Sequence, residues 1–280
     1  MRLHYFKIFS VWAIGLAFST ACHTALAATS YSFAVVPQYN VVQLHTEWQP
    51  VLERISRETG ITLELALQSS IPKFEQAVLK GEPDFAYANP YHAVMAKKAQ
   101  AYLPLLRDSK PLSGILLVRK DSPYKSPQDL AGLDIGFPAP NAFGASLYMR
   151  ALLAERKIKF QPQILNNHGN VFRSILNGSV AAGGAVNNTY NDEKPEIREQ
   201  LRILFQTPTS ASHPVIAHPR VPDAVRQAVK AAFLSMQKDP AGLALLKEIR
   251  VPQPLASNYE SDYLPLEKLG IEKFVILEKE

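Results

Sequence analysis

Cysteine is almost missing from this chain of 280 residues, which holds a single one, Cys22. The first 27 residues have the pattern of a secretory signal: a basic start, an apolar run and the small-residue sequence Ala25-Leu26-Ala27. We expect cleavage after Ala27. Lipoprotein processing at Cys22 is less favoured, because Ser19 stands where such sites carry an aliphatic residue. The mature chain would then have no cysteine, which excludes disulfides, thiolate metal sites and cysteine nucleophiles.

A strong charge of either sign is also missing. The whole chain has 30 basic and 25 acidic residues, a formal net charge of +5. Removal of Arg2 and Lys7 with the signal would leave 28 basic and 25 acidic residues, or +3. Such a mild and mixed charge does not indicate a nucleic-acid partner, although it slightly favours an anionic small ligand. With 47% hydrophobic residues, the composition is that of a globular protein long enough for two lobes.

Signatures of catalysis are missing as well. The chain contains no G-x-S-x-G, no G-x-x-x-x-G-K-[ST], no G-x-G-x-x-G and no H-E-x-x-H sequence. The histidines that follow the signal show no convincing metal spacing; they are His45, His92, His168, His213 and His218. We therefore predict no metal, no cofactor and no catalytic residue, and an enzyme is the least favoured class.

What is present is a regular alternation of strand and helix patterns. The stretch "ITLELAL" alternates as a strand, "SSIPKFEQAVLKG" is typical of a capped helix, and "DFAYA" of a short buried strand. In "LHTEWQPVLERISRETG" we predict a helix that starts with a capping box of Thr46 and Gln49. Its apolar positions share one face; they are Trp48, Val51, Leu52 and Ile55. This alternation predicts α/β lobes with parallel sheets, whose binding sites lie where strands end and helices begin.

Three strand-to-helix turns carry polar residues: Asn89-Pro90-Tyr91-His92, the stretch from Pro138 to Ser146, and Asn166-Asn167-His168-Gly169-Asn170. Small residues after Asn141 in the second turn would let a ligand approach backbone N–H groups at a helix start. A further polar run, Asn187-Asn188-Thr189, follows the strand "AAGGAV". Ordinary helix capping explains the first turn equally well, and a structural role for His168 stays open.

Four stretches occur in an order and spacing that resemble one family: "FAVVPQYN", "GEPDFAYANPYHAV", "GILLVRKDSPYKSPQDLAGLDIGF" and "NHGNVFRSILNGSVAAGGAVNNTYN". From about Tyr31 to Phe274 the chain resembles the PhnD-type periplasmic substrate-binding proteins, the solute receptors of phosphonate, phosphite and phosphate ABC importers. The resemblance implies a type II periplasmic-binding-protein fold: two α/β lobes, each a mainly parallel sheet flanked by helices, joined by two crossing hinge segments. Lobe I would comprise residues 28–114 and 212–280, and lobe II residues 115–211.

The resemblance also implies a ligand site in the cleft between the lobes. The positions that match the family's ligand-binding segments are Tyr39, Asn89, Tyr91, Asn141, Phe143, Gly144, His168, Asn187 and Asn188. One departure concerns the second turn, where phosphonate binders typically carry Ser-Thr-Ser-Gly and this chain has Asn141-Ala142-Phe143-Gly144. Each charge-assisted hydrogen bond to an anion contributes roughly 1.5–3 kcal/mol, so the loss of three hydroxyls weakens the case for a doubly charged phosphonate.

The function implied is that of a periplasmic receptor, which would close on a small phosphorus oxyanion or a related polar solute. Its partner would be the membrane permease of an ABC importer, and the receptor itself would be a monomer. Two alternatives stay open: the same receptor could serve a sensor kinase, or the fold could host an enzyme.

Overall fold

The structure is a computed structural model that describes Met1 and residues 30–276. The expected cleavage after Ala27 and the alternative lipid site at Cys22 lie outside the described residues. None of the helices in the described part of the chain combines the length and the apolar character that a membrane crossing requires.

Strands and helices alternate through most of residues 30–276, as the sequence predicts. The strands are β1 Ser30–Val35, β2 Thr62–Leu67, β3 Phe85–Tyr87, β4 Leu103–Asp108, β5 Gly114–Arg119, β6 Asp134–Phe137, β7 Gln161–Ile164, β8 Ala182–Val186, β9 Leu201–Gln206, β10 Pro214–Ala217 and β11 Pro254–Ala256. The α-helices are α1 Val41–Thr59, α2 Ile71–Leu79, α3 Pro90–Gln100, α4 Tyr148–Glu155, α5 His168–Leu176, α6 Asn187–Asn191, α7 Pro195–Arg198, α8 Asp223–Met236, α9 Pro240–Glu248, α10 Tyr259–Asp262 and α11 Leu264–Glu267. A π-helical turn, Phe143–Leu147, leads into α4, and 3₁₀ turns lie at Pro127–Leu130 and Ile271–Phe274.

The strands form two sheets. The first has the order β11-β4-β10-β3-β1-β2 and the second the order β7-β6-β8-β5-β9. The pairs of β1 with β2 and β3, and of β6 with β7 and β8, are parallel, as expected. Strand β10 runs antiparallel to β3 and β4, and β5 runs antiparallel to β8 and β9. Both sheets are therefore mixed. The strands that flank the two crossings, β4 and β10 in the first sheet and β5 and β9 in the second, are paired antiparallel.

The chain crosses from the first sheet to the second between β4 and β5 and returns between β9 and β10. The two crossing segments pair with each other: the Leu112 N–H donates to the Ser210 carbonyl at 2.9 Å, and the Ser210 N–H to the Leu112 carbonyl at 2.8 Å. Paired segments of this kind fix where two lobes meet while leaving each sheet intact. The lobe boundaries at residues 114/115 and 211/212 stay a prediction.

Helix α1 shows both a success and an error of the sequence pattern. The predicted apolar face is buried, and Trp48 packs against Phe33 and Tyr87 of the first sheet. The helix begins earlier than predicted, at Val41, where the Asn40 side chain accepts a hydrogen bond from the Gln43 N–H. The predicted capping box of Thr46 and Gln49 is wrong. Thr46 lies inside the helix and its hydroxyl donates to the Val42 carbonyl, as hydroxyls within helices commonly do.

Two glycines let the π-helical turn lie directly on the second sheet. A Cβ atom on Gly184 of β8 would come within 1.8 Å of the Ala145 carbonyl oxygen, and one on Gly114 of β5 within 2.0 Å of the Gly144 carbonyl oxygen. Any side chain at these strand positions would push the turn away from the sheet. The glycine-rich strand "AAGGAV" is therefore explained by packing, and the close approach fixes the position of the backbone at residues 143–145.

The substitution Gly184→Ala is expected to lower the free energy of unfolding by about 1–3 kcal/mol, the usual effect of overpacking a dense interior. Gly169→Ala is the matched control, because the nearest atom to its added Cβ is a side-chain nitrogen of Arg173 at 3.5 Å. Urea unfolding of both variants measures the difference. Equal stabilities of Gly184→Ala and wild type would contradict this account of the packing.

Candidate functional site

A small cavity of about 20 Å³ lies between the two sheets, roughly the space that one water molecule needs. Residues from both sheets and their helices line it; they are Val36, Gln38, Ile71, Asn89, Ala142, Phe143, Gly144, Ala145, His168, Val186 and His213. Four of the nine predicted site residues are thus brought together here: Asn89, Phe143, Gly144 and His168. The small volume shows that the two lobes are almost closed on each other.

The N-terminal ends of four helical segments converge on this cavity. Ile71 is the first residue of α2, Asn89 is the N-cap of α3, Phe143 opens the segment that leads into α4, and His168 is the first residue of α5. The first N–H groups of a helix have no acceptor within it, and the helix dipole places partial positive charge there. The wall of the cavity is therefore electropositive although none of the lining side chains carries a fixed charge.

Asn89 caps one of these helices and also reaches across to the other lobe. Its side-chain oxygen accepts a hydrogen bond from the His92 N–H at 2.7 Å, which is the capping role that the sequence suggests. Its side-chain amide donates to the Asn141 carbonyl at 3.3 Å. The oxygen and the nitrogen of the Asn89 side chain are thus both hydrogen-bonded within the protein. These bonds fix the position of Asn89 in the cavity wall.

His168 lines the cavity from the second lobe and is 2% exposed. The Asn167 side chain caps its helix by accepting a hydrogen bond from the Asn170 N–H at 2.9 Å. The His168 Nδ1 atom lies 3.5 Å from the Thr189 hydroxyl, which itself donates to the Val186 carbonyl. Burial lowers the pKa of His168 to about 4. The imidazole is therefore neutral near pH 7.

His213 lines the same cavity from the first lobe, and the sequence did not single it out as a ligand-binding residue. It is 3% exposed, and its ring stacks on that of Tyr87 with the centroids 5.5 Å apart. Its Nδ1 atom has no hydrogen-bond partner among the described residues. Burial, and to a lesser extent the nearby His92 and His168, together lower the pKa of His213 to about 3. The only sequence signal is a histidine directly before a buried, proline-started strand.

Asn141 and Tyr91, two other predicted site residues, do not line the cavity. The Asn141 amide donates to the Glu75 carboxylate at 2.9 and 3.0 Å and to the Ile276 carbonyl at 2.7 Å, and its oxygen accepts from the Ile276 N–H at 3.0 Å. Tyr91 is buried, and its ring stacks against that of Phe143 with the centroids 6.4 Å apart. Both residues connect the lobes. Their predicted contact with a ligand stays a prediction.

Glu75 is a buried residue of the contact between the lobes that the sequence analysis missed. It is 5% exposed, it binds Asn141, and one of its carboxylate oxygens lies 3.5 Å from His92 Nε2. A signal for it exists in the sequence, because Glu75 falls on the face of α2 that buries Ile71 and Phe74. A carboxylate on the apolar face of a short helix indicates a buried partner.

Of the remaining predicted residues, Asn187 and Asn188 help to line a second, larger cleft of about 420 Å³, as does Arg250, whereas Tyr39 lines neither space. The Arg250 guanidinium stands over the Tyr39 ring, 4.1 Å from its centroid. It also pairs with Glu47 of α1 at 2.7 Å and with Asp192, after α6, at 2.6 Å. Arg250 therefore ties the first lobe to the second at this edge. Within residues 30–276, no cluster of three or more His, Cys, Asp or Glu side chains is arranged to hold a metal ion.

Comparison with known proteins identifies the fold. A family model described as the periplasmic substrate-binding protein of phosphonate ABC transporters matches residues 33–263. PhnD1 from Prochlorococcus marinus, solved in complex with methylphosphonate, is similar with a TM-score of 0.80 and 13% identity, over 88% of this chain and 99% of that one. A comparison with curated protein sequences found no match.

Two further solved structures are similar. One is a binding protein component of an ABC phosphonate transporter from Pseudomonas aeruginosa, with a TM-score of 0.76 and 16% identity over 86% of this chain and 85% of that one. The other is a Xanthomonas citri protein bound to chloride, with a TM-score of 0.71 and 17% identity over 88% and 98%. These likenesses confirm the expected two-lobed α/β fold of type II periplasmic binding proteins.

The two buried histidines predict that the folded protein loses stability in mild acid. In the unfolded chain both imidazoles have the ordinary pKa of 6.5, whereas in the fold the pKa values are about 4 for His168 and about 3 for His213. Their contribution to stability is complete above pH 6.5 and falls as the pH drops from 6.5 towards 4, because only the unfolded chain takes up protons there. By pH 5 the loss is about 2 kcal/mol for each histidine.

Urea unfolding at pH 7 and pH 5 measures this loss. His168→Gln should lose less stability than wild type between the two pH values, because one of the two proton-binding groups is gone. His45→Gln is the matched control, since His45 is exposed on α1 and its removal should leave the pH dependence unchanged. The same pH dependence in wild type and His168→Gln would show that His168 is not held neutral by the fold.

Proposed function

Because the chain belongs to the family of periplasmic substrate-binding proteins of phosphonate ABC transporters, we propose that its own ligand is a small phosphorus oxyanion bound at the smaller cavity between the lobes, which must widen beyond the volume of one water molecule to admit it. As a member of that family it is a periplasmic transport receptor. We propose in addition the class of its ligand, the position of the ligand and the residues that contact it.

The observation that carries the proposal is the convergence of four helix N-termini on one cavity. Partial positive charge from helix ends favours an anion without any formal charge on the protein. Phe143, Gly144 and Ala145 stand at the start of a helical segment and line the cavity. Their backbone donors can bind phosphorus oxygens although the family's three hydroxyls are replaced at this turn.

The side chains of the cavity wall can add directional hydrogen bonds to the attraction of the helix ends. His168 and His213 face the cavity from opposite lobes, and Gln38 adds an amide. With no cationic side chain in the wall, the site suits an anion of low charge better than a dianion. Phosphite, hypophosphite and methylphosphonate in their singly charged forms fit this description, and sulfate, which stays doubly charged, fits it least.

We propose that the ligand drives the closure of the lobes. Three contacts hold them together on the two sides of the cavity: the Asn89–Asn141 hydrogen bond, the Tyr91–Phe143 stack and the Arg250–Asp192 ion pair. A ligand shifts a two-state equilibrium only by its difference in affinity for the two states. A ligand held by both lobes at once has that difference, because the open form offers it only half of the donors.

The receptor would then deliver its ligand to a membrane permease, and we propose that it does so as a monomer and without chemical change to the ligand. The proposed cleavage after Ala27 would release the mature protein into the periplasm. Among the residues of the cavity wall there is no carboxylate or thiol to act as a nucleophile, and the two imidazoles have neutral forms suited to donate and accept hydrogen bonds.

A thermal-shift panel on the mature protein, unfolded and refolded to remove carried-over ligand, tests the ligand class. The panel contains hypophosphite, phosphite, methylphosphonate, phosphate, sulfate and neutral polar solutes. A ligand at a hundred times its dissociation constant stabilises the folded state by about 2.7 kcal/mol, enough for a clear rise of the melting temperature. We expect such a rise with at least one phosphorus oxyanion and a smaller effect of sulfate.

The variant His168→Gln should bind that oxyanion about ten- to a hundredfold more weakly, because one hydrogen bond to a charged ligand is lost or weakened. His45→Gln should bind it as wild type does. A response to neutral solutes alone would refute the proposed ligand class. Full affinity for the oxyanion in His168→Gln would refute the proposed position of the ligand.

A further inference from the structure

We infer that His168 and His213 act as a proton-accepting pair, so that an anion enters the smaller cavity together with protons taken up by the protein. This inference rests on the proposed function, because it assumes that the anion binds in this cavity. It goes beyond it by giving His213 a role and by predicting how the affinity changes with pH.

The geometry places one imidazole on each wall of the same cavity. His168 begins α5 in the second lobe, and His213 directly precedes β10 in the first. Both are more than nine-tenths buried. Closure of the lobes therefore brings the two rings to opposite sides of whatever occupies the space between them.

An unpartnered atom on His213 points to the occupant. Its Nδ1 finds no hydrogen-bond partner within the described part of the chain, although His213 is 3% exposed. A buried polar atom left without a partner costs about 1–3 kcal/mol, so such atoms are rare unless something else supplies the bond. An oxyanion in the cavity would supply an acceptor for an N–H on this ring.

The neighbours of the two rings leave the pair uncharged in the free protein. His92 of α3 and the two rings themselves act on one another electrostatically, and Tyr87 of β3 stacks on His213. Facing His168 are the neutral Thr189 hydroxyl and the apolar Val186. The buried carboxylate of Glu75 on α2 lies against His92 and Asn141 and does not line the cavity.

A bound anion would favour the protonated form of the two imidazoles. A neutral imidazole offers one donor and one acceptor, and its acceptor nitrogen repels an oxyanion, whereas an imidazolium offers two donors. A negative charge close to a buried imidazole favours the charged form, the opposite of the effect of burial. The bound state therefore holds more protons than the free state, and by linkage the affinity rises as the pH falls.

Isothermal titration calorimetry with hypophosphite and methylphosphonate, each in two buffers of different ionisation enthalpy, counts the protons taken up on binding. Hypophosphite carries one charge and no titratable proton between pH 5 and pH 8, so any uptake must occur on the protein. Methylphosphonate has a proton of its own, so its count is the sum for ligand and protein, and the hypophosphite count is the one that assigns the uptake to the protein.

For wild type we expect proton uptake that grows as the pH falls, and about tenfold or more tighter binding at pH 5 than at pH 8. His213→Gln should keep the ligand specificity but take up fewer protons and show a flatter dependence on pH. His45→Gln, the exposed control, should match wild type. If His213→Gln does not fold, the wild-type proton count with hypophosphite still decides whether the protein takes up protons on binding, because it needs no variant.

Binding of either probe with no proton uptake by the protein, or with an affinity that does not change between pH 5 and pH 8, overturns this inference and leaves the proposed function intact. An absence of binding by every phosphorus oxyanion at every pH overturns both. Full proton uptake in His213→Gln assigns the protons to His168 alone and overturns the role of the pair.

Discussion

The convergence of four helix N-termini on one small cavity is the constraint on which the rest of the site depends. It sets the sign of the field there without a single charged side chain in the wall. It also explains why the turns before α3 and α5 are rich in asparagine. Asn89 and Asn167 cap two of the helix starts, and our proposal assigns the donors for the ligand to the helix starts rather than to the asparagine side chains. The polar character of these turns is thus a consequence of building the site from helix ends.

Closure of the two lobes is organised around Asn141. Its amide joins Glu75 of the first lobe and the backbone of Ile276 near the end of the chain, while its carbonyl accepts a hydrogen bond from Asn89. A single residue of the second lobe is therefore bound by three segments of the rest of the protein. The resemblance places Asn141 where phosphonate receptors typically carry a hydroxyl, and in this chain its side chain makes a contact between the lobes. Our proposal therefore assigns the binding of the ligand to the backbone and the imidazoles.

Local pattern was sufficient to predict most of the elements and to select four residues that line the cavity. The spacing of Trp48, Val51, Leu52 and Ile55 predicted the buried face of α1, and the turns led to Asn89, Phe143, Gly144 and His168. The α/β fold and its family followed from the order of the motifs, and both are confirmed.

Local sequence pattern could not predict contacts between residues that are far apart in the chain. The partners of Asn141 lie 66 and 135 positions away, and no periodicity links them. His213 enters the cavity only because β10 returns to the first sheet between β3 and β4. The start of α1 was misplaced because Asn40 and Thr46 are both acceptable caps, and only the fold decides between them.

A crystal structure of the mature protein with methylphosphonate, grown near pH 5.5, tests the central claim most directly. The account predicts the phosphonate group in the smaller cavity, with its oxygens within hydrogen-bond distance of His168, His213 and the N–H groups of residues 143–145. A phosphonate bound instead in the larger cleft beside Asn187, Asn188 and Arg250, with the smaller cavity unchanged, would contradict it.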